Sequence, residues 1–311
     1  MPDVVVTEFI EESALATLSR EFSVVYDPEL VKRPDDIKLL AADAPGLIVR
    51  NMTQVRGEVL DACQALKVIG RLGVGLDNID MDACKKRGIQ VYPATGANAV
   101  AVAEYVIAGI FHGLRNIWSV TDKVATGWWD RQTLILREAS GKTLGLIGFG
   151  QIAREVAKRA RALGMRVGAY DPNVLPGDPA WTELGVAHMD LVSLLGESDV
   201  VSVHAPLLPT TRNLLDASAL SLMRPDAVLI NTARGGIIDE AAVVAALRLK
   251  RLGCVILDVL DKEPPPANSI LRGVPNLILT PHVAGNTVES NVRVSSVTVA
   301  NVMRALKALK K

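Results

Sequence analysis

The amino-acid sequence predicts an α/β protein whose main sheet is parallel and doubly wound. Three observations predict this class. Short apolar runs of strand length alternate with helical stretches over most of the 311 residues. Near the middle of the chain, a glycine turn at Gly148-Phe149-Gly150 joins one apolar run directly to a helical stretch. Further apolar runs then resume after this turn, as they do when a doubly wound sheet is completed.

The first third of the chain predicts a small α/β unit of its own. Its strand candidates are residues 4–7, 23–26, 46–50, 67–71 and 90–92, and helical stretches such as 11–21 and 35–42 lie between several of them.

Residues 98–123 are predicted to form one long, nearly uncharged helical stretch. The part that runs from Ala99 to Ala108 is too apolar to be exposed. We expect this helix to connect two domains and also to bury an interface. The alternative is that it forms the core of its own domain.

The second series of strand candidates is 142–147, 165–170, 200–204, 227–231, 254–258 and 277–280. The first of them, the glycine turn and an amphipathic helix at 151–163 follow one another without a gap, as in a dinucleotide-binding site. The final helical stretch, 288–309, has nowhere to pack in such a unit. We expect it to return to the first domain.

The glycines of this turn and the small residue after it each have a role that a dinucleotide-binding site requires. Gly148 permits the tight turn, Gly150 lets the backbone approach a pyrophosphate, and Ala153 supplies the small side chain that close helix packing requires. Asp171 ends the next strand, where a carboxylate can accept hydrogen bonds from both ribose hydroxyls. It would repel a 2′-phosphate, so the pattern favours NAD over NADP. A glycine-rich turn without a ligand is the alternative interpretation.

Composition is consistent with a cytoplasmic enzyme of two domains. The chain carries 34 basic and 34 acidic residues, which favours neither nucleic acid nor membrane as a partner. Neither a membrane-length apolar run nor a signal sequence is evident. Cys63, Cys84 and Cys254 lack the spacing of a disulfide framework or a zinc site and are interpreted as buried thiols.

Polar side chains follow three of the later strand candidates. Arg234, Glu263 and His282 come after the runs that end near 231, 258 and 280. Ligands of open α/β sheets bind at the carboxyl ends of strands, so these side chains are expected to meet in one cleft. They offer a cation for a carboxylate, a proton donor or acceptor, and an anion that holds the imidazole in one tautomer. Each alone also has a structural interpretation, as a surface ion pair, a loop carboxylate or a structural histidine.

Taken together, these segments resemble the D-isomer-specific 2-hydroxyacid dehydrogenases, a family that includes phosphoglycerate, glycerate and D-lactate dehydrogenases. The resemblance covers nearly the whole chain. It rests on Gly148-Phe149-Gly150, Asp171, His204-Ala205-Pro206-Leu207, Asn231-Thr232-Ala233-Arg234-Gly235, Asp258-Val259, Glu263-Pro264 and Pro281-His282, and earlier on the run from Arg71 to Asp80 and the segment from Gly96 to Glu104.

The resemblance implies that an NAD-binding Rossmann domain, residues 99–285, is inserted into a flavodoxin-like substrate domain made of residues 1–98 and 286–311. It implies reversible NAD-dependent interconversion of a D-configured 2-hydroxy acid and its 2-keto acid. By position in the family, His282 moves the proton, Glu263 orients the imidazole, and Arg234 binds the substrate carboxylate.

The resemblance also implies further contacts. Those with the cofactor fall on Gly148, Gly150, Gln151, Ile152, Asp171, His204, Pro206, Thr232, Ala233, Asp258 and Gly285. Those with the substrate fall on Arg50, Arg71, Val74, Gly75 and Asn98. No metal role is expected, because hydride transfer needs none here. A homodimer through residues 99–131 is implied as well, with the loop from Gly127 to Arg131 reaching the other subunit's substrate site.

Two questions stay open at this point, the identity of the substrate and whether the protein is an enzyme. The substrate is expected to be a three-carbon acid with a second anionic group, of the 3-phosphoglycerate, sulfolactate or glycerate/hydroxypyruvate type. Arg50, Arg71 or a partner's Arg131 would line its site. The competing function is a non-catalytic, NAD-sensing module that binds proteins, as in the related corepressors. The absence of basic localisation runs and of a disordered tail disfavours that function.

Overall fold

The computed structural model describes residues 1–309, without the side chain of Trp118, and it separates into two compact units. Unit 1 is Met1–Asn98 with Asn286–Lys311, and unit 2 is Ala99–Gly285. Lys310 and Lys311, which the predicted substrate domain includes, lie outside the described residues. The assignment of unit 1 to the substrate stays a prediction.

Unit 1 is built on a parallel sheet of five strands. These are β1 (Val4–Val6), β2 (Val24–Tyr26), β3 (Gly46–Val49), β4 (Val68–Arg71) and β5 (Gln90–Pro93). Its first helices are α1 (Glu12–Ser19), α2 (Pro34–Leu40), α3 (Gly57–Ala62) and α4 (Met81–Lys86). The strand order is β2-β1-β3-β4-β5. This is the flavodoxin-like order, so the fold predicted for this part of the chain is confirmed.

Unit 2 is built on a parallel sheet of seven strands. These are β6 (Thr143–Ile147), β7 (Arg166–Tyr170), β8 (Ala187–His188), β9 (Val200–Val203), β10 (Val228–Asn231), β11 (Cys254–Leu257) and β12 (Leu277–Leu279). Their order is β12-β11-β10-β9-β6-β7-β8. The order reverses between β6 and β9, as in a Rossmann fold, so the doubly wound sheet is confirmed.

The helices of unit 2 cover both faces of this sheet in the pattern that βα alternation produces. They are α5 (Ala99–Arg115), α6 (Thr121–Ala125), α7 (Gln151–Ala162), α8 (Pro179–Glu183), α9 (Leu191–Glu197), α10 (Ala217–Leu222) and α11 (Glu240–Arg248). One strand was missed by the sequence prediction. It is β8, a two-residue edge strand that is exposed and therefore carries no apolar run.

The predicted continuous helix over 98–123 is wrong. Helix α5 ends at Arg115, because Asn116 has a φ of 21°. A 3₁₀ turn at Ile117–Val120 and the short α6 follow. Asparagine enters the positive-φ region more readily than most residues, and a hydrophobicity pattern does not register this.

Helix α5 owes its apolar composition to the core of unit 2. Val106, Ile110 and Leu114 are buried in one cluster with residues of α7 and β10. At Gly113 a Cβ atom would lie 2.4 Å from Cγ1 of Val228, so the helix rests directly on the sheet. The structure therefore supports the alternative interpretation for the buried face of α5.

The last helix, α12 (Val288–Leu309), packs on the sheet of unit 1. Val294, Val302 and Leu306 are buried there in one cluster with β1, β3 and β4. A Cβ atom at Gly70 would lie 2.5 Å from Cγ2 of Val302, so a larger residue on β4 would push the helix away.

Three general features bear on function. Across residues 1–309, no helix combines the length and the apolar character needed to cross a membrane. The same residues contain no group of three or more histidine, cysteine, aspartate or glutamate side chains placed to hold a metal ion. The three cysteines are buried and free, and burial raises the pKa of both Cys63 and Cys254 to about 11.

Candidate active site

The glycine turn lies at the switch point of the unit 2 sheet, between β6 and α7. Gly148 has a φ of 92°, and a Cβ atom there would lie 2.7 Å from the carbonyl oxygen of His204. Both facts require glycine at this position. The turn thus passes close to the end of β9, as the close packing at a switch point demands.

The N-terminus of α7 offers unpaired N–H groups to an anion. Gly150 is its N-cap residue and provides no side-chain cap. Apart from Gly150 and its chain neighbours, no heavy atom of the described residues lies within 4 Å of a Cβ placed on Gly150, so the space before the helix is open. Backbone N–H groups of Gln151 and Ile152 can therefore reach a pyrophosphate, while the buried Ala153 packs against the sheet.

Asp171 is half-buried at the end of β7 and organises the turn. Its Oδ2 atom accepts the N–H of Phe149 at 2.8 Å, and its Oδ1 atom accepts the N–H of Asn173 at 2.9 Å. A carboxylate has about four acceptor sites, so roughly two stay available for ribose hydroxyls. Phe149 itself is buried and stacks on Trp181 with 4.2 Å between ring centroids. The sequence prediction did not find this support of the turn.

His204 follows β9 and is a neutral residue. Its Nε2 atom lies 2.9 Å from the hydroxyl of Ser202. Burial lowers the pKa of His204 to about 3, so the ring is uncharged at neutral pH and does not serve as the general acid. This supports a role in lining the cofactor site, which stays a prediction together with that of the exposed Pro206.

The turn after β10 carries Thr232, Ala233 and Arg234. The buried Asn231 side chain accepts the N–H of Ala233 at 2.9 Å and donates to the carbonyl of Arg234 at 2.8 Å. Asn231 was not predicted as a site residue, although an asparagine that ends a strand is a known turn former. Among the described residues the buried Thr232 hydroxyl has no hydrogen-bond partner. A bound ligand could satisfy it, and with the open α7 N-terminus and Asp171 it fits NAD.

Glu263 and His282 form a hydrogen-bonded pair. Oε2 of Glu263 lies 2.8 Å from Nδ1 of His282, and Oε1 accepts the N–H of Leu260 at 2.9 Å. Since a carboxylate can only accept, Nδ1 of the neutral ring carries the proton. The Nε2 atom is then the basic nitrogen. About two fifths of each side chain is exposed, 40% for His282 and 38% for Glu263, which leaves the pair accessible to a substrate.

Asp258 holds the backbone beneath His282. Its carboxylate is buried and accepts the hydroxyl of Thr280 at 2.6 Å and the N–H groups of Val283 and Ala284, each at 2.8 Å. Its carbonyl accepts the N–H of His282 at 2.9 Å, and His282 has a φ of 56°. The expectation for Asp258 was a cofactor contact. The structure adds a role in fixing the histidine loop.

Tyr105 extends this network, and the sequence prediction missed it. Its hydroxyl lies 2.6 Å from that of Thr280. Because Thr280 donates its single proton to Asp258, Tyr105 is the donor in this contact. The two residues are 175 positions apart in the sequence, so no local pattern could have paired them.

Arg234 reaches the same edge of the sheet from the neighbouring strand. Asn231 pairs with Leu257 and Leu257 with Leu279, so β10, β11 and β12 end side by side. The Nη1 atom of Arg234 donates to the carbonyl of Ala233 at 2.6 Å. Gly285 closes unit 2, a few residues after His282.

The five residues of the predicted substrate contacts, Arg50, Arg71, Val74, Gly75 and Asn98, all lie in unit 1. Arg50 follows β3, and Arg71 ends the adjacent β4, where it is in register with Val49. Arg71 folds back so far that a Cβ atom on Gly73 would lie 1.6 Å from its Nη1 atom. Val74 is 37% exposed in the loop that also contains Gly75. The buried Oδ1 atom of Asn98 has no hydrogen-bond partner among residues 1–309.

Comparison with known proteins assigns the chain to a family. Residues 107–284 match the profile of the D-isomer specific 2-hydroxyacid dehydrogenase, NAD binding domain. The chain is 51% identical over 308 residues to the (S)-sulfolactate dehydrogenase of Chromohalobacter salexigens, a match that covers 98% of this chain and 99% of that one.

Two further matches agree with this result. The D-3-phosphoglycerate dehydrogenase of Archaeoglobus fulgidus is 39% identical over 263 residues, which is 85% of this chain but only 50% of the relative's length. The D-lactate dehydrogenase of Aquifex aeolicus, solved with NAD and lactic acid, superposes with a TM-score of 0.86 at 30% identity and covers 98% of this chain and 96% of its own.

These relatives are dehydrogenases by name, which favours an enzyme over the non-catalytic NAD-sensing alternative. The predicted cofactor, NAD, is confirmed by the matching NAD-binding domain. The chain belongs to the D-isomer-specific 2-hydroxyacid dehydrogenases and is an NAD-dependent oxidoreductase that acts on a small 2-hydroxy or 2-keto acid.

Proposed function

We propose that this enzyme interconverts a three-carbon 2-hydroxy acid that carries a second anionic group and the matching 2-keto acid, with (S)-sulfolactate and sulfopyruvate as the favoured pair. Two findings support the proposal. The sulfolactate dehydrogenase noted above is 51% identical over nearly the full length of both chains. The observation that carries it is Arg50, a half-buried cation that forms no ion pair within residues 1–309.

The configuration of sulfolactate agrees with a D-specific family. In lactate the carboxylate outranks the methyl group at C2, whereas in sulfolactate the sulfur-bearing carbon outranks the carboxylate. The R/S descriptor of C2 therefore changes from R in D-lactate to S in sulfolactate, although the arrangement of the groups in space is the same. (S)-Sulfolactate has the same spatial arrangement at C2 as D-lactate, and a D-specific site accepts it without a change of hand.

Arg50 is the proposed contact of the second anion. Burial lowers the pKa of its guanidinium, because desolvation disfavours the charged form. A partly desolvated cation without an ion-pair partner is costly, and binding an anionic substrate reduces that cost. Arg71, Val74, Gly75 and Asn98 are proposed as further substrate contacts in unit 1.

Proton transfer is proposed to run through His282. Bound NAD would provide the acceptor for the hydride that leaves C2 of the substrate. The neutral ring accepts the hydroxyl proton at Nε2 during oxidation, while Glu263 at 2.8 Å from Nδ1 stabilises the resulting imidazolium. In the reverse direction the protonated ring donates to the keto oxygen. Arg234 is proposed to bind the substrate carboxylate through its fork of N–H donors.

A substrate panel tests this function. With NADH at saturation, we expect kcat/KM for sulfopyruvate to exceed that for pyruvate by roughly two orders of magnitude, since a desolvated charge pair is worth about 2–5 kcal/mol. The change Arg50→Met should abolish this difference and leave the efficiency with pyruvate little changed. Equal efficiency of the wild-type enzyme with both acids contradicts the proposed substrate, and a preference for phosphohydroxypyruvate would transfer the assignment to a phosphorylated acid.

We also propose a homodimer through residues 99–131 and the segment that follows. The support comes from exposed apolar side chains near this region: Val124 41%, Trp129 78%, Ile135 84% and Leu136 39%. Several exposed apolar side chains within one short segment of the chain are typical of an interface. The loop from Gly127 to Arg131 is proposed to approach the substrate site of the other subunit.

Light scattering at micromolar concentration tests the assembly. We expect a dimer mass for the wild-type chain and a shift toward monomer for Trp129→Glu, because the interface would then bury an unpaired charge. The exposed Leu175, in another part of unit 2, gives the matched control Leu175→Glu, which should remain dimeric. A monomeric wild-type chain would refute the proposal.

The three buried, free thiols are in keeping with the proposed cytoplasmic location.

A further inference from the structure

We propose that Asn291 is a positioning residue that holds the Arg50 guanidinium for the second anion of the substrate without forming an ion pair with it. This inference rests on the proposed function, because it concerns the same anion subsite. It assigns substrate selectivity to a residue 241 positions away from Arg50 in the sequence.

The backbone at Arg50 is fixed before any ligand binds. The buried Glu8 carboxylate accepts the N–H groups of Arg50, Met52 and Thr53 at 2.9, 3.1 and 2.9 Å. From the other side, Nδ2 of Asn78 donates to the carbonyls of Arg50 and Thr53 at 3.2 and 2.7 Å. The loop that starts at Arg50 is therefore rigidly anchored. Only the arginine side chain needs a further support.

Asn291 provides that support within unit 1. Its Oδ1 atom accepts Nη2 of Arg50 at 2.7 Å, and the guanidinium carbon lies 5.8 Å from the centroid of the Phe9 ring. A guanidinium has five N–H donors. Among the described residues, this contact is its one side-chain hydrogen bond, so most of its donors remain available to a ligand.

Glu8, the nearby acid, forms no direct ion pair with the Arg50 guanidinium. The charge of Glu8 favours the cationic form, but both of its oxygens are already engaged by backbone N–H groups. A sulfonate or phosphate oxygen can accept the unused guanidinium donors in the geometry that arginine prefers.

The orientation of Asn291 is itself determined. Its Nδ2 atom donates to Oδ1 of Asn286 at 3.0 Å, which turns its own oxygen toward Arg50. A neutral amide oxygen thus aligns the guanidinium and leaves the charge intact. An aspartate at this position would have nearly the same shape, but it would form an ion pair with Arg50 and compete with the substrate anion.

Asn291→Asp is the decisive variant, since it preserves shape and changes only charge and donor capacity. With saturating NADH, we expect KM for sulfopyruvate to rise by roughly 30-fold, while kcat changes little and kcat/KM for pyruvate stays within about threefold. Asn291→Ala removes the alignment without adding charge, so KM for sulfopyruvate should rise less, by roughly fivefold.

The chain contains a matched control on the same helix. Asn301 of α12 accepts a hydrogen bond from Nη2 of Arg304 at 3.2 Å. Asn301→Asp therefore adds the same charge beside another arginine, and its kinetic constants should equal those of the wild type. Thermal unfolding of each variant verifies that it is folded.

The outcomes separate the inference from the function on which it rests. If wild type prefers sulfopyruvate and Arg50→Met loses the preference but Asn291→Asp keeps it, the inference is overturned and the proposed function stands. An equal loss with sulfopyruvate and pyruvate in Asn291→Asp also overturns it, because that result indicates a general structural defect. A wild-type enzyme without any preference overturns both.

Discussion

His282→Ala is expected to lower turnover by roughly two to four orders of magnitude, because the variant lacks the group that accepts and donates the substrate proton. Cofactor binding should persist, since the turn at Gly148 and the carboxylate of Asp171 are built from other strands. The measurements are kcat with a saturating 2-keto acid and the dissociation constant of NADH from a fluorescence titration. His188→Ala, at the exposed histidine of β8, is the control and should keep full turnover.

Glu263→Gln tests the charge of Glu263 while it preserves the size of the side chain. The 2.8 Å contact with His282 is retained in shape, but the imidazolium loses its anionic partner. Reduction of the keto acid needs the protonated ring, so its rate should decline at lower pH than in the wild type. Oxidation needs the neutral ring and should extend to lower pH. An unchanged pH profile in both directions would show that the pair does not act as proposed.

Asp258→Ala is expected to have the largest effect on stability. The change leaves the Thr280 hydroxyl and the N–H groups of Val283 and Ala284 without their acceptor in a buried site. An unsatisfied buried donor costs about 1–3 kcal/mol, so the loss should be at least about 3 kcal/mol in total. This corresponds to a decrease of roughly 6–12 °C in the thermal midpoint of a unit of this size.

The same change should also lower activity. The carbonyl and carboxylate of Asp258 together hold His282 in its positive-φ conformation. Release of that loop should reduce kcat by roughly two orders of magnitude, because a shift of about 1 Å in a reacting group has this effect. Glu183→Ala removes an exposed acid of the same unit and should change neither quantity. If Asp258→Ala unfolds at the wild-type temperature, the clamp has no energetic role.

The sequence predicted the local segment of the NAD site, but it did not predict the contacts that distant residues make with that segment. The strand, glycine turn, helix and acid from residue 143 to residue 171 are local in the chain, and their spacing alone predicted the site. The support that Phe149 receives from Trp181 was not predicted, because stacking between distant aromatic rings has no sequence signature. The same limit applied to Tyr105 and Thr280.

Predictions from hydrophobicity succeeded where an element has one buried face and failed where a single residue changes the backbone. The extent of α12 was predicted from its pattern, and the structure has the same bounds, Val288–Leu309. Asn116 ended α5 through its φ of 21°, and no average over neighbouring residues anticipates that. The apolar surface of α5 was ambiguous for another reason. A helix in a domain core and a helix at an interface have the same composition.

By itself the sequence determined the α/β class and the cofactor, and it predicted the residues that carry the chemistry, because each depends on short segments whose spacing is fixed by strand and helix geometry. Only the tertiary structure decided how those residues are held. Glu263 meets His282, and Asp258 clamps the loop that carries His282, because β11 and β12 lie side by side in the sheet. Asn291 reaches Arg50 because α12 packs on unit 1. Contacts of this kind depend on the packing of whole elements, and a linear pattern contains no record of which elements will be neighbours.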